Sequence, residues 1–263
     1  MTLYCRYEYR GETTYGVVEG DQVQPLSGEL FSGLKPSGTG VPLSDVKLLA
    51  PVPRPGKILA AAVNYQSHVP SGRTVLKSDD DVPSIPQLFL KPSSSIIGPG
   101  ETIILPAEAR RVDAEGELVA VIGKLCRNVL PEQALDYVFG YTCGDDVSAR
   151  HWQRDDVQWW RAKGSDTFTS IGPYIADGLD PTNIGLRTRV NGKVTQEGNT
   201  SDLIHNLATM ISFASRVMTV EPGDLLFTGT PGVPPKLEDG DVCEVEIDGI
   251  GVLTNPVKRE LIP

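Results

Sequence analysis

The sequence predicts a mainly β protein with a few helices, an α+β chain, on three observations. Glycine (27) and proline (21) are both plentiful, so turns are many. Apolar and polar residues alternate with strand period at both ends of the chain. Helical signatures are few, and strands and helices do not alternate regularly, which disfavours a doubly wound parallel sheet.

Residues 1–50 read as a small strand-rich N-terminal domain. Leu3, Cys5, Tyr7 and Tyr9 alternate with Tyr4, Arg6 and Glu8, and TYGVVEG and DQVQPL read as further short strands. KPSGTGVPLS reads as a loop, and the proline-studded PVPRPGK marks a boundary. The second region, 51–263, opens with KILAAAV, an apolar run fit for a buried strand. The polar stretch that follows, with its aspartates Asp79–Asp81, is long for a plain connection and reads as a lid over 66–85. QLFLK, TIILP and ELVAVIG read as strands, and PEQALDYV as a short helix with Pro131 at its start.

LRTRV and KVTQEG flank Asn191-Gly192, a dipeptide suited to the positive φ angles of a two-residue hairpin turn. Leu203, Ile204, Leu207, Met210, Ile211, Ala214 and Val217 then recur at helical spacing, with Thr200 or Ser201 as cap and Asp202 in the first turn. The tail returns to strand alternation: Val242, Glu244 and Glu246 against Cys243, Val245 and Ile247. Asp248-Gly249 then turns the chain into IGVLTN.

A net charge of −10 repels phosphate backbones, so nucleic acid is excluded as a partner. A small anion remains possible where a metal or a local basic cluster reverses the sign. Cys5, Cys126, Cys143 and Cys243 are far apart, form no CxxC pair and suggest neither a disulfide framework nor a zinc knuckle. No apolar run approaches the roughly 20 residues of a membrane helix. The first residues do not read as a signal peptide, so a cytoplasmic location is expected. Neither GxGxxG nor GxxxxGK[ST] is present, against the common nucleotide-binding loops.

Glu115 and Glu117 stand two apart on an expected strand, which points both side chains to one face. Carboxylates that close repel, so water screens them, one is protonated, or a cation lies between them. A solvated strand end is the plain alternative. GYTCGDDVSARHWQ adds Asp145 and Asp146, which alone read as a turn or a helix cap. Should Asp146 join the glutamates, the all-oxygen set favours Mg²⁺ or Mn²⁺ over zinc. The histidines, His68, His151 and His205, share no metal-binding spacing, and His205 falls in the expected amphipathic helix as a structural residue.

NYQSH, LFLKPSSSIIGPGETIILP, VDAEGELVAVIGK, GYTCGDDVSAR, KGSDTFTSIGPYI, VNGKVTQEGNTSDLI and EPGDLLFTGTPGV occur in this order. Together they resemble the fumarylacetoacetate hydrolase family over roughly residues 51 to 263. The resemblance implies a mixed β-sandwich or roll, a homodimer, and Mg²⁺ or Mn²⁺ held by Glu115, Glu117 and Asp146. It also implies an active-site lysine at Lys163, substrate-binding Arg150, Gln153 and Thr230, and a water-activating base at His68. One departure is Ser71, where many members carry a glutamate that pairs with that histidine; the next glutamate along this chain is Glu101.

The implied chemistry is metal-dependent hydrolysis of a carbon–carbon bond in a 2,4-dioxo acid of the acylpyruvate type, by way of an enolate. The alternatives are an oxaloacetate-type decarboxylase or a 2-hydroxy-diene-dioate isomerase or tautomerase, which pass through the same kind of species. A metal- or ligand-binding regulatory protein without turnover is the alternative of another class. A lowered pKa is expected for Lys163, as a cation beside a cationic metal.

Overall fold

The computed structural model describes residues 1–68 and 82–261. Most of the expected lid lies outside these residues, as do Ser71, Lys77 and Asp79–Asp81. The fold is mainly β, as expected, with far more strand than helix. Three open sheets carry the architecture among the described residues. The largest has 13 strands, and its central path runs Leu3–Tyr9, Thr169–Ala176, Val138–Asp146, Gly116–Ile122, Leu225–Phe227, Ile58–Ala62 and Gln87–Lys91. A five-stranded sheet orders Ile103–Leu105, Gly251–Arg259, Val242–Ile247, Gly185–Val190 and Lys193–Asn199. The third joins the short strands Ser148–Ala149, Val112–Asp113 and Lys236–Leu237.

The strand Gly116–Ile122 is buried along its whole length. Its even residues Leu118, Ala120 and Ile122 pack with Leu186, Val245, Ile247 and Leu253 of the five-stranded sheet and with Leu207, Met210 and Ile211 of a helix. Its odd residues Val119 and Val121 pack with Ile58, Ala60, Ile171 and Phe227 in a second core. Period-2 geometry thus places one strand between two apolar layers. Gly116 has even parity, and a Cβ there would meet Thr188 Oγ1 at 2.1 Å. Only glycine lets the two sheets approach this closely at that point.

The N-terminal strands continue the main sheet: Leu3 and Tyr4 pair antiparallel with Ala176 and Ile175. Cys5 and Tyr7 are the buried members of the first strand, as the alternation predicts. The expected loop KPSGTGVPLS instead contains the short strands Lys35–Pro36 and Val41–Pro42, both paired with Gln22–Ser27. The Asn191-Gly192 hairpin forms, with Asn191 at φ 53° and Gly192 at φ 75°.

The amphipathic helix is shorter than its periodicity suggests. It spans Leu207–Val217 and is capped by Asn206, whose side chain accepts from Thr209 N at 2.9 Å. Thr200 and Ser201 belong to a separate 3₁₀ turn ahead of it. His205 therefore precedes the helix, and its Nε2 bonds Pro83 O at 2.9 Å. No helix among the described residues is long and apolar enough to cross a membrane.

Candidate active site

Glu117 has the odd parity of its strand, and Glu115 lies one residue ahead of that strand rather than within it. Asp145 and Asp146 end the neighbouring strand Val138–Asp146 instead of forming a turn or cap. Two hydrogen bonds tie these chain ends together. Glu115 N donates to Asp145 Oδ1 at 2.7 Å, and Asp146 N donates to Glu115 O at 2.9 Å. A carboxylate oxygen from each of Glu115, Glu117 and Asp146 converges to within 4.8 Å of the others, and all three residues are buried.

Carboxylates packed this closely in a dry pocket need counter-charge. Lys163 Nζ donates to Glu115 Oε2 at 2.6 Å and also to Asp146 Oδ2. Lys91 Nζ donates to Asp146 Oδ1 and, at 2.7 Å, to Phe168 O. Arg150 spreads its fork over Asp113 Oδ2 at 2.8 Å, Gln153 Oε1 at 3.0 Å and Glu115 Oε1 at 2.6 Å. Glu117 has no cation of its own among these pairs; its Oε2 accepts from Gly229 N at 2.6 Å. Gly229 stands at φ +97°, a conformation suited to glycine, with Asn64 Cβ too close for a side chain.

The titration of the two glutamates diverges accordingly. Burial alone would raise the Glu115 carboxyl, but Arg150 and Lys163, with His68, hold it well below the usual range. Burial pushes Glu117 well above that range, and the charges of Asp146 and Glu115 add to the rise. Asp145 is raised to about 6, chiefly by burial. The donor set is hard, all-oxygen and electrostatically crowded at Glu117, and so fits Mg²⁺ or Mn²⁺. In the metal-free chain the Lys163 pKa is raised: burial lowers it, but Asp146 and Glu115 together outweigh the burial, and the lowering expected from the sequence concerns the metal-loaded site.

A cavity of about 310 Å³ opens beside this cluster, with His68, Glu115, Arg150, Gln153, Lys163 and Thr230 in its wall. Glu117 and Asp146 lie behind that wall, buried to 1% exposure. His68 Nδ1 lies 2.7 Å from Gly232 O. A carbonyl only accepts, so Nδ1 carries the hydrogen and Nε2 is the basic nitrogen. Burial lowers the His68 pKa, against the pull of Glu115. Thr230 Oγ1 donates to Gly116 O and accepts from Gln196 Nε2, both at 2.9 Å, so protein contacts already occupy its hydroxyl.

The structure thus brings His68, Glu115, Glu117, Asp146, Arg150, Gln153, Lys163 and Thr230 to one place. It adds Lys91 and Asp113, which the sequence does not single out as site residues, and gives Asp145 a bond to Glu115 N. Lys91 carries one signal, a charge that closes the apolar LFL run at the end of an expected strand.

Fold and site define a mixed β-sandwich protein with a buried all-oxygen acidic centre at the base of a small cationic cavity. The chain belongs to the fumarylacetoacetate hydrolase family: it matches the fumarylacetoacetate (FAA) hydrolase C-terminal domain over residues 57–258. Residues 3–51 match a second family, Rv2993c-like, N-terminal. The chain is 42% identical to the mitochondrial oxaloacetate tautomerase fahd2 of Xenopus laevis over 226 residues, 81% of this chain and 69% of that protein. The structure of 5-carboxymethyl-2-hydroxymuconate delta-isomerase from Mycobacterium smegmatis superposes with a TM-score of 0.90 at 42% identity, covering 99% of this chain and 100% of that one. Maleylpyruvate hydrolase from Sphingobium sp. SYK-6, in complex with manganese(II) and pyruvate, gives a TM-score of 0.81 at 33% identity, again over 99% and 100%.

Proposed function

We propose that this protein is a divalent-metal-dependent tautomerase or isomerase that moves a proton at the carbon beside the 2-oxo group of a small 2-oxo acid. The observation that carries this reading is the His68–Gly232 contact. A backbone carbonyl orients the imidazole without the charge that strengthens a base, and burial weakens it further. Among the described residues His68 has no carboxylate hydrogen-bond partner. His68 thus lacks the charged partner that stabilises the imidazolium in a His–carboxylate pair that activates a hydroxyl or water, whereas proton transfer at carbon can draw on the acidity conferred by the neighbouring 2-oxo group and its metal. The relatives named as tautomerase and isomerase also stand at higher identity than the maleylpyruvate hydrolase.

In this reading Glu115, Glu117 and Asp146 hold Mg²⁺ or Mn²⁺. Bound there, the ion supplies Lewis-acid charge that acidifies the carbon next to the 2-oxo group. His68 Nε2 takes the proton from that carbon and returns it at the other end of the conjugated system. The Lys163 ammonium pairs with Glu115 and Asp146 and places a positive charge at the cavity wall. Arg150 fixes Glu115 in orientation. Gln153 gives its oxygen to Arg150, which leaves its amide hydrogens for a substrate oxygen. Thr230 shapes the wall through Gly116. We also read residues 1–50 as a small accessory domain and the active species as a homodimer.

The second reading is hydrolysis of a carbon–carbon bond in an acylpyruvate, favoured by the hydrolase relative solved with pyruvate. A panel of 2-oxo and 2,4-dioxo acids with Mg²⁺ and Mn²⁺ separates the two. The tautomerase reading expects accelerated enol–keto interconversion of oxaloacetate without acylpyruvate cleavage. Cleavage without tautomerisation selects the hydrolase, and ligand binding with no product at all selects the regulatory alternative.

A further inference from the structure

Among the described residues, four cationic side chains line the cavity: Arg111, Arg150, Arg154 and Lys163. Three of them have at least one terminal nitrogen engaged. Arg150 is held by Asp113, Gln153 and Glu115. Lys163 bridges Glu115 and Asp146. Arg154 closes on Asp155, with Nε at 2.7 Å and Nη2 at 3.2 Å. Arg111 differs. Its Nε donates to Asp113 Oδ1 at 2.9 Å, and among the described residues its two Nη groups have no partner.

Asp113 makes this arrangement specific. It is 1% exposed and its second oxygen accepts from Arg150 Nε. One buried carboxylate therefore anchors the Nε of both guanidiniums, Arg150 beside Glu115 and Arg111 at the more exposed part of the cavity wall. With its Nε fixed and its side chain 54% exposed, Arg111 keeps a pair of donors in the geometry that receives a carboxylate. Phe89, Trp159, Val233 and Pro234 supply an apolar wall for a carbon chain.

We propose that Arg111 is a specificity-determining residue: it reads a second carboxylate at the far end of the substrate, so that the substrate is a short 2-oxo dicarboxylate. This rests on the 2-oxo acid reading above and narrows it. An uncharged or apolar distal group leaves the Arg111 fork without a partner and gains nothing from it.

The test is equilibrium binding, by calorimetry on the full chain with saturating Mn²⁺, of 2-oxoglutarate against 2-oxopentanoate. They share a chain length and differ in the distal carboxylate. The wild type is expected to prefer the dicarboxylate by roughly tenfold or more, the scale of one charge-assisted pair. Arg111→Gln should abolish that preference while leaving 2-oxopentanoate affinity unchanged, and Arg111→Lys should retain part of it. An unchanged preference in Arg111→Gln, or none in the wild type, overturns the assignment. Equal loss of both ligands in Arg111→Gln also overturns it, since Arg111 would then be holding the pocket together. The binding ratio does not require turnover. A protein that prefers the dicarboxylate yet converts no 2-oxo acid would sink the catalytic reading and leave this one standing.

Discussion

Lys163 Nζ lies 2.6 Å from Glu115 Oε2, with both side chains almost wholly buried, and the same ammonium reaches Asp146. One cation thus neutralises two of the three clustered acids. Lys163→Met leaves both carboxylates short of charge, a loss of about 3–5 kcal/mol for a broken buried pair. Calorimetric unfolding checks this. Added Mn²⁺ should raise the melting temperature of the variant more than that of the wild type, because the ion supplies the missing charge.

Glu117 behaves oppositely. Burial and its two acidic neighbours already disfavour its charge. Glu117→Gln removes repulsion, and an amide oxygen still accepts from Gly229 N. The metal-free variant should therefore melt higher, by a few degrees per kcal/mol gained. Its Mn²⁺ affinity should fall at least about tenfold, since a neutral amide replaces an anionic ligand. Titration calorimetry reads the second effect; a lower melting point together with intact affinity would contradict the role assigned to Glu117.

His68 sets an acid limit. Burial holds its folded pKa below the ordinary 6.5, so the folded protein carries it neutral. As pH falls through 6.5 the unfolded chain takes up its proton first. His68 therefore costs stability progressively between 6.5 and its lower folded value. The rate should fall at still lower pH, as pH passes through the folded value and the Nε2 base is protonated. In a pH–rate series, His68→Gln should lower the rate about 10²–10⁴-fold, the usual scale of a general base, and erase this limb. Metal affinity should be unchanged.

Lys91 is buried, bonds Asp146 and Phe168 O, and has its pKa lowered first by burial, against the pull of Asp146. Lys91→Met should destabilise the metal-free protein by about 3–5 kcal/mol. Denaturant unfolding tests it, and a loss below 1 kcal/mol would show that Asp146 is compensated elsewhere.

Legibility in the sequence followed the local pattern. The Glu115/Glu117 pair was visible because the spacing of two has a geometric meaning on or next to a strand. Asp146 was not visible from its own neighbourhood: an Asp pair has ordinary turn and cap readings, and only the family resemblance joined it to the glutamates. The strands Val138–Asp146 and Thr169–Ala176 are buried on both faces for most of their length, so no alternation advertised them. The helix start was misplaced because Thr200 and Ser201 are good caps in isolation, while Asn206 makes the actual bond. Lys91 and Asp113 act through pairing between distant segments, 55 residues apart for Lys91 and Asp146 and 37 for Arg150 and Asp113, which no local window contains.

The most direct test is anomalous diffraction from crystals soaked in Mn²⁺. A manganese peak should appear among the carboxylates of Glu115, Glu117 and Asp146, with Mn–O distances near 2.2 Å, slightly longer than those of Mg²⁺. Well-ordered density that leaves those oxygens on Lys91, Lys163, Arg150 and Gly229 N, with no peak between them at saturating metal, would contradict the account.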